Sequence, residues 1–445
     1  MSKRKLIILI IIVLLITLLA WGYSTIYKKD NTPTDGGSVG GTNFISDFFN
    51  LIKSKTGDNT TDGENPGNTD VSNNQQSETI KEKKKLTKIS SNPVAGFTVF
   101  LKERFKNVPD VIPGENPDNI NLEPVAPATE FIPSVRYVDR ATGNIFQTFA
   151  DKIKEQKFSE TVVPIVYEAF FGNNGDSVVM RYLKADGETI ATFIGSLPKE
   201  VLGGDTVGGN QITGSFLPEN ITDISVSPNT QNLFYLFNVR NGVAGIVSST
   251  LGENKVQVFD SAFTEWLSGW PNEKMITLTT KPSALVPGYM YVVDPEKKDF
   301  TKLISNINGL TTLTSFDGKY VLYSNNLLSL NILDLEGNDT IRLRVRTLPE
   351  KCVWAKNSYS LYCAVPKSIA QSSYPDSWYQ GEISFTDDIW KIDTITGNGT
   401  KILIPETFEE ALSGIDGIKL AIDDGENYLF FVNKKDNMLW ELELK

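Results

Sequence analysis

Short hydrophobic segments separated by polar turns recur from about residue 86 to the end of the chain. In each repeat an apolar strand, a polar turn, a second strand and an aromatic-rich third strand precede a fourth strand. For example, residues 289–294 (YMYVVD) lead into residues 300–305 (FTKLIS). A spacing of about 40 to 60 residues is typical of repeat architectures, in which one unit cannot bury its faces alone. The pattern therefore predicts four-stranded antiparallel sheets that stack on one another.

The last predicted strand, residues 438–445 (MLWELELK), has no successor, and residues 86–90 (LTKIS) form a strand with no predecessor. An N-terminal strand that completes the last sheet would close a ring and remove both free edges. We therefore predict an all-β, seven-bladed β-propeller over residues 84–445, closed by residues 84–90. The predicted units are 91–163, 164–212, 213–261, 262–306, 307–347, 348–406 and 407–445. Six or eight blades also fit the spacing, whereas a β-sandwich does not explain the divided last unit.

An apolar run over residues 6–27 follows Lys3, Arg4 and Lys5. A helix of this length spans about 33 Å, which is enough to cross a bilayer. Neither a small-residue cleavage site nor a lipobox cysteine follows. This favours a single-pass signal-anchor over residues 1–29, with a cleaved secretory peptide as the alternative. The basic residues predict a cell-membrane protein with a cytoplasmic N-terminus and an extracytoplasmic propeller.

Residues 30–83 are rich in Asn, Asp, Gly, Thr and Ser, so we predict a disordered linker. One segment differs, because apolar side chains recur at helical spacing over residues 43–54 and predict a short amphipathic helix. A helix this short is unstable alone and needs a surface to cover its apolar face. The membrane, the propeller and another protein are all candidates for that surface.

The composition excludes several functions. A net charge of -11 without a Lys/Arg stripe argues against nucleic-acid binding. The chain contains no histidine, which removes Ser-His-Asp and Cys-His catalysis and every His-containing metal site. We therefore expect no cofactor and no metal, and we find no recognisable catalytic motif.

Cys352 and Cys363 are the first and last residues of the segment CVWAKNSYSLYC, whose pattern predicts two short apolar strands around a polar turn. If the turn is centred on residues 357–358, the two cysteines lie opposite each other on one face of the hairpin. Directly opposed antiparallel residues are close enough for a disulfide. Such a bond would stabilise the fold by about 3 kcal/mol in the chain-entropy model. Two buried free thiols are the alternative.

Residues 315–319 (SFDGK), followed by an apolar strand and an aromatic third strand, resemble the TolB-type propeller repeat, which is PD40- or WD40-like. Other copies, such as residues 227–231 (SPNTQ), keep the pattern and lose individual residues. The WD dipeptides and the histidine of WD40 repeats are missing. More loosely, the arrangement is similar to anchored envelope propellers of small-genome bacteria. The TolB-type resemblance implies a propeller that works by protein contact, and it implies no particular functional residue.

Two insertions exceed what a blade needs. Residues 101–133 carry several prolines and acidic residues, and we predict an extended loop there. Residues 367–388 contain four aromatic residues: Tyr374, Trp378, Tyr379 and Phe385. Aromatic side chains in a loop either pack locally or meet a partner. We interpret these four residues as a binding surface for a protein or a glycan, with local packing as the alternative.

The sequence thus predicts a membrane-anchored, non-catalytic propeller that binds or scaffolds an envelope protein or polysaccharide. The alternatives are a structural spacer and an envelope carbohydrate-active enzyme with Asp and Glu in the propeller mouth. The pairs Asp387–Asp388 and Asp423–Asp424 are the candidate carboxylates. Neighbouring strand residues point to opposite faces, so neither pair can itself form the facing carboxylates of a glycosidase. We expect both pairs to be solvated turn residues. Three or more carboxyls converging with Arg or Tyr in one pocket would favour the enzyme.

Overall fold

The computed structural model describes residues 86–106, 128–200, 202 and 210–445. The predicted signal-anchor (1–29), linker (30–83) and amphipathic helix (43–54) lie outside these residues. Within the described ranges, no helix combines the length and the apolar composition needed to cross a bilayer.

The described chain folds into seven four-stranded antiparallel sheets, which are the blades of a β-propeller. Blade 1 contains β2 (Val94–Phe105), β3 (Thr129–Asp139), β4 (Ile145–Phe149) and β5 (Gln156–Lys157). Blade 2 contains β6 (Val166–Gly172), β7 (Ser177–Leu183), β8 (Ile190–Ser196) and β9 (Thr213–Phe216). Blade 3 contains β10 (Ile221–Val226), β11 (Asn232–Val239), β12 (Gly242–Ser249) and β13 (Val256–Ser261). Blades 4 and 5 contain β14 (Trp266–Asn272), β15 (Met275–Thr280), β16 (Pro287–Val293) and β17 (Phe300–Asn308); and β18 (Thr311–Thr314), β19 (Tyr320–Ser324), β20 (Ser329–Asp334) and β21 (Thr340–Arg346). Blades 6 and 7 contain β22 (Cys352–Trp354), β23 (Ser360–Pro366), β24 (Asp387–Asp393) and β25 (Gly399–Leu403); and β26 (Gly417–Ile422), β27 (Tyr428–Asn433), β28 (Leu439–Glu443) and β1 (Leu86–Lys88).

The helical segments are short and lie between strands. They are α1 (Asp376–Tyr379) and four 3-10 turns, namely Asn173–Gly175, Pro349–Lys351, Pro405–Thr407 and Glu409–Ala411.

Strand β1 completes blade 7, as the sequence predicts. It pairs antiparallel with β28, and Thr87 lies opposite Glu441 in the register. The Ile89 N–H continues the pairing by donating to the Leu439 carbonyl at 2.8 Å. The two ends of the propeller sequence therefore share one sheet, which leaves no blade incomplete.

The hydrophobic core consists of seven layers, each between two consecutive blades, and the last layer joins blade 7 to blade 1. Because blades are covered on both faces, central strands carry continuous apolar runs, such as the buried Leu233–Leu236 of β11. The first strands of blades 1 and 2 approach so closely that a Cβ on Gly96 would lie 2.0 Å from the Ala169 carbonyl oxygen. The ring is thus closed by packing as well as by strand pairing.

Turns between first and second strands explain the repeated sequence letters. In blade 5 the Ser315 hydroxyl donates to Asp317 at 2.6 Å and accepts from the Tyr320 N–H at 3.0 Å. In blade 3 Ser227 makes the same contacts with Asn229 and with the N–H of residue 232, at 2.7 and 2.9 Å. A short polar side chain two residues after the serine therefore closes each turn.

Two sequence predictions about blade boundaries are wrong. The boundary between the second and third units was placed at residues 212 and 213, but Thr213–Phe216 is the outer strand of blade 2. Its four residues are all exposed, so it lacks the apolar pattern that marks the other strands. Residues 101–133 are not simply a loop either, because 101–105 and 129–133 extend β2 and β3 as a long hairpin.

Candidate functional site

We call residues 367–386, which connect β23 to β24, the cap. Loops between second and third strands and the links between blades lie on one face of the ring, which we call the upper face. The cap crosses this face. Asp376 accepts a hydrogen bond from the Ala284 N–H of blade 4 at 2.6 Å, and the Lys434 ammonium of blade 7 donates to the Trp378 carbonyl at 2.7 Å. The cap therefore bridges blades 4 to 7.

The four aromatic residues predicted to bind a partner have different environments. Tyr374, Trp378 and Phe385 are only 3%, 3% and 2% exposed, and they pack with Leu348 and other apolar residues in one cluster. Local packing thus accounts for three of the four. Tyr379 is 38% exposed, so it is the one aromatic side chain of the cap that a partner can reach directly.

A buried charge cluster holds the cap in place. The Lys351 ammonium lies 2.8 Å from Asp387 and 2.5 Å from Asp416, and all three side chains are inaccessible to solvent. Asp416 also accepts hydrogen bonds from the Trp378 indole at 3.0 Å and from the Phe385 N–H at 2.9 Å. The Ser384 hydroxyl donates to the same carboxylate at 3.1 Å, so one carboxylate at the start of blade 7 binds three residues of the cap.

The two carboxyls of this cluster differ in acidity. Burial raises the pKa of Asp387 to about 6, although the Lys351 ammonium acts against this shift. Burial would also raise the pKa of Asp416, but the ammonium and the hydrogen bonds outweigh it and hold this pKa below its usual value. Asp416 is therefore the main counter-ion of Lys351.

The predicted disulfide is confirmed. Cys352 and Cys363 are opposed in the register of β22 and β23, and they form a disulfide with a Cα–Cα distance of 4.1 Å. The bond joins the first two strands of blade 6, directly next to Lys351.

Of the four residues in the acidic pairs, Asp424 is the solvated turn residue expected from the sequence, whereas the other three are buried. Asp387 and Asp388 are buried in β24 and serve opposite faces, because Asp387 pairs with Lys351 whereas Asp388 lies 2.6 Å from Lys401. Asp423 does lie in a turn, but it is buried and accepts backbone N–H groups there. The remaining member, Asp424, is exposed. Neither pair forms a catalytic site.

A cavity of about 630 Å³ lies in the central channel between blades 3 and 6, and we call it the channel cavity. Its walls are mainly apolar and hydroxyl-bearing, with three aromatic rings and two carboxyls. The hydroxyl groups come from Ser268, Thr277, Thr279, Thr311, Thr312 and Thr314, the rings from Trp270, Phe316 and Tyr379, and the carboxyls from Asp223 and Glu350. Tyr379 of the cap and the 3-10 turn before blade 6 thus form part of the same wall.

The two carboxyls have few partners. Asp223 accepts the Ser268 N–H at 2.5 Å, and Glu350 accepts the Tyr379 hydroxyl. Burial raises the pKa of Asp223 to about 6 and the pKa of Glu350 to about 7, although these hydrogen bonds act against the shifts. Both groups therefore titrate close to neutral pH.

Two polar groups in the cavity wall lack partners within the described part of the protein. The indole N–H of Trp270, a residue only 9% exposed, has no acceptor, and the hydroxyl of Thr314 is also unpaired. In contrast, the hydroxyls of Thr279 and Thr312 bond to each other at 2.6 Å. Because solvent cannot reach either atom, both are unpaired polar groups behind the cavity surface and not contact points for a ligand.

Sequence reasoning missed Asp223, Glu350, Lys351 and Asp416. A usable signal exists for Asp223, because first strands line the channel and this residue is an acid inside the first strand ITDISV. Glu350 and Lys351 lie in a link between blades, and nothing in the local pattern shows that such a link reaches the channel.

A second cavity of about 520 Å³ lies beside the long β2–β3 hairpin. The buried Arg136 dominates it and donates to the Gly175 carbonyl at 2.5 Å, to Gln147 at 2.9 Å and to Glu200 at 3.1 Å. Glu200 in turn binds Lys102 at 2.7 Å. Because these charges satisfy one another, this cavity has the character of a structural network.

Among the described residues, no group of three or more His, Cys, Asp or Glu side chains is placed to hold a metal ion. The channel cavity has two carboxyls and a tyrosine, whereas a carbohydrate-active site was expected to show at least three carboxyls.

No protein-family model matches the chain, and no curated protein matches it in sequence. Three solved structures illustrate its similarities. Oligogalacturonate lyase in complex with manganese is 9% identical with a TM-score of 0.46, over 70% of this chain and 85% of that one. TolB from Acinetobacter baumannii is 10% identical with a TM-score of 0.38, over 58% and 59%. The tricorn protease is 12% identical with a TM-score of 0.34, over 67% and 27%, so this chain spans about a quarter of its length.

Similarities this weak carry no information about activity. The propeller that the TolB-type resemblance implies is confirmed by the seven sheets themselves.

Proposed function

We propose that this protein is a membrane-anchored, extracytoplasmic propeller that binds an envelope protein or polysaccharide in its channel cavity without transforming it. The channel cavity is the observation that carries this proposal. It offers about 630 Å³ of largely apolar and aromatic wall with a few polar groups, which is the usual composition of a ligand site.

The cap gives this site a fixed shape. Tyr374, Trp378 and Phe385 act as the internal packing of the cap, and the Lys351 cluster attaches it to blade 7. Tyr379 then faces the cavity from a rigid support. In this proposal the partner contacts Tyr379, while the other three aromatic residues act only by holding it in position.

Two features support an extracytoplasmic location. The apolar run at residues 6–27 has the length and flanking charges of a signal-anchor. The disulfide between Cys352 and Cys363 is typical of proteins that fold in an oxidising compartment.

A carbohydrate-active enzyme is the second candidate, since Asp223 and Glu350 line one cavity and titrate near neutral pH. Two carboxyls, one of them hydrogen-bonded to Tyr379, form a smaller set than this class was expected to need. Release of reducing ends from envelope polysaccharide by the purified protein, lost in Glu350→Gln, would establish the enzyme and contradict the proposal.

Site-specific photo-crosslinking tests the binding site in cells that express the full chain. A photoreactive amino acid replaces Tyr379 in one variant and Tyr359 in a control, because Tyr359 is 58% exposed in a turn on the opposite face. We expect a crosslinked species at position 379 and none at position 359. A second peptide in the crosslinked product, found by mass spectrometry, would identify a protein partner, and a periodate-sensitive adduct would identify a polysaccharide. Equal yields at both positions, or none at 379, would contradict the proposal.

Whole-cell proteolysis tests the location. Added protease should cleave within residues 30–83 and release the propeller, while a cytoplasmic marker stays intact. A fully protected chain beside a degraded surface marker would rule out the extracytoplasmic placement.

A further inference from the structure

We infer that the ligand of the channel cavity carries one or more ammonium groups, which Asp223 and Glu350 bind as carboxylates. This inference rests on the proposed function, because it names the chemistry of the ligand that the same cavity takes. An amino sugar polymer and a lysine-rich protein segment both present this chemistry.

The charge balance of the cavity carries the inference. Within the described residues, neither Asp223 nor Glu350 has a cation at salt-bridge distance. Lys281 is the one basic residue described in the cavity wall, and it lies 3.2 Å from Glu265 instead. Lys351 follows Glu350 in the chain, but its ammonium is held by Asp387 and Asp416. The cavity thus presents two acidic groups whose ionised forms a cationic ligand would stabilise.

The aromatic walls suit the same ligand. Trp270, Phe316 and Tyr379 line the cavity together with the carboxyls. Aromatic faces attract ammonium groups, and the attraction is largest where water is displaced.

Other ligand classes fit less well. An acidic polysaccharide or an acidic peptide would meet two carboxyls of the same sign. The cations that act on these carboxyls are paired elsewhere, Arg181 with Glu168 and Lys351 with Asp387 and Asp416. A neutral sugar could use the hydroxyl groups and rings, but it would leave both carboxyl charges without compensation. An ammonium-bearing ligand interacts favourably with both the carboxyls and the aromatic rings of the wall.

The titration of the two carboxyls gives a direction for the pH dependence. Burial raises the pKa of Asp223 to about 6 and the pKa of Glu350 to about 7. A lysine-bearing ligand binds the ionised carboxylates, so its affinity should rise from pH 5 to pH 8 and its binding should release protons. Lysine side chains stay charged over this range, since their ordinary pKa is about 10.4. Any change in affinity then reports on the protein.

The test uses the full chain in lipid nanodiscs and measures affinity by titration calorimetry. The first probe is N-acetyl tri-lysine amide, compared with the same peptide acetylated on every side-chain amine. The second is glucosamine trimer, compared with N-acetylglucosamine trimer. We expect at least one amine probe to bind at least about tenfold more tightly than its acetylated form, as loss of a desolvated ion pair requires. Preference for the peptide or for the sugar identifies the source of the ammonium group.

Variants locate the binding. Asp223→Asn and Glu350→Gln should each weaken binding of the preferred amine probe by about tenfold. Each should also flatten the pH dependence of the affinity for the lysine peptide. Asp424→Asn, an exposed position on the opposite face, serves as the control and should change neither. Melting temperatures establish that all three variants are folded.

Two results would overturn the inference. Acetylated probes that bind as tightly as the amines would show that the cavity takes a ligand of another class. Failure of every probe to bind at millimolar concentration would also overturn it. In either case a crosslink at position 379 would leave the proposed binding function in place, whereas loss of that crosslink would remove both.

Discussion

At the scale of single residues, the cluster of Lys351, Asp387 and Asp416 has the largest energetic consequences. Its three charged groups are inaccessible and compensate one another. A buried ion pair adds little net stability compared with apolar residues, but removal of one partner leaves an uncompensated charge. The cluster also receives the Trp378 indole, so the position of the cap depends on it.

Lys351→Met should therefore destabilise the protein by about 3 to 5 kcal/mol, because two buried carboxyls lose their cation. The measurement is the urea midpoint of the full chain with the disulfide intact. Lys356→Met is the matched control, since Lys356 pairs with Asp424 at an exposed site. This substitution should lower the free energy of unfolding by less than about 1 kcal/mol. Equal midpoints for the two variants would contradict the role of the cluster.

Asp223 makes stability depend on pH. Its folded pKa of about 6 lies above the ordinary value of 3.8, so the folded protein binds the proton more tightly than the unfolded chain. The resulting penalty is absent below about pH 4, grows between about pH 4 and pH 6, and stays constant above that at about 3 kcal/mol. Asp223→Asn removes the charge and keeps an acceptor for the Ser268 N–H. Its melting temperature should rise relative to the wild type from pH 4 to pH 8, and a pH-independent difference would contradict this assignment.

The sequence was informative at this scale where contacts are local. The opposition of Cys352 and Cys363 follows from a hairpin whose turn is visible in the sequence. The pairing of Lys351 with Asp416 joins residues 65 positions apart, and it depends on how two blade links meet on the upper face. No periodicity encodes such a contact.

At the scale of elements, the cap contains aromatic residues that pack inside the protein and one that is available to a ligand. Its excess length and its aromatic residues are visible in the sequence, but whether each ring faces inward is decided by long-range contacts. Tyr374, Trp378 and Phe385 meet an apolar cluster from three blades, and Tyr379 faces the channel cavity. Strand β9 shows the reverse case, because an exposed edge strand needs no apolar residues and so leaves no pattern.

Trp378→Ala should therefore lower mainly the stability of the protein, whereas Tyr379→Ala should lower mainly its affinity for the ligand. Trp378→Ala removes a buried ring and a hydrogen bond to Asp416, which should cost about 3 to 5 kcal/mol of stability. Tyr379→Ala removes a partly exposed ring and should cost about 1 kcal/mol, while it weakens ligand binding at least tenfold. Stability comes from thermal or urea unfolding, and binding from the preferred probe. If neither variant changes binding, the protein is better described as a structural spacer.

At the scale of the whole molecule, closure of the ring makes the site possible. The channel cavity is lined by first strands of separate blades together with the cap, so it exists only while the blades surround a common channel. The sequence predicted this closure correctly from two strands without neighbours, because a free sheet edge is unfavourable at either end of the repeat. It did not predict the cavity, whose shape depends on which side chains each first strand turns toward the channel.

Engineered cysteines at the closing strand test this directly. Thr87 lies opposite Glu441 in the register, so Thr87→Cys with Glu441→Cys should form a disulfide under mild oxidation, in addition to the native one. Thr87→Cys with Glu443→Cys, displaced by two residues, is the matched control. Mass spectrometry of proteolytic peptides should detect the link between positions 87 and 441 in high yield, and little or none between 87 and 443. No link in the first pair, or equal links in both, would show that the N-terminal strand does not close the last blade and that the channel cavity is not formed as described.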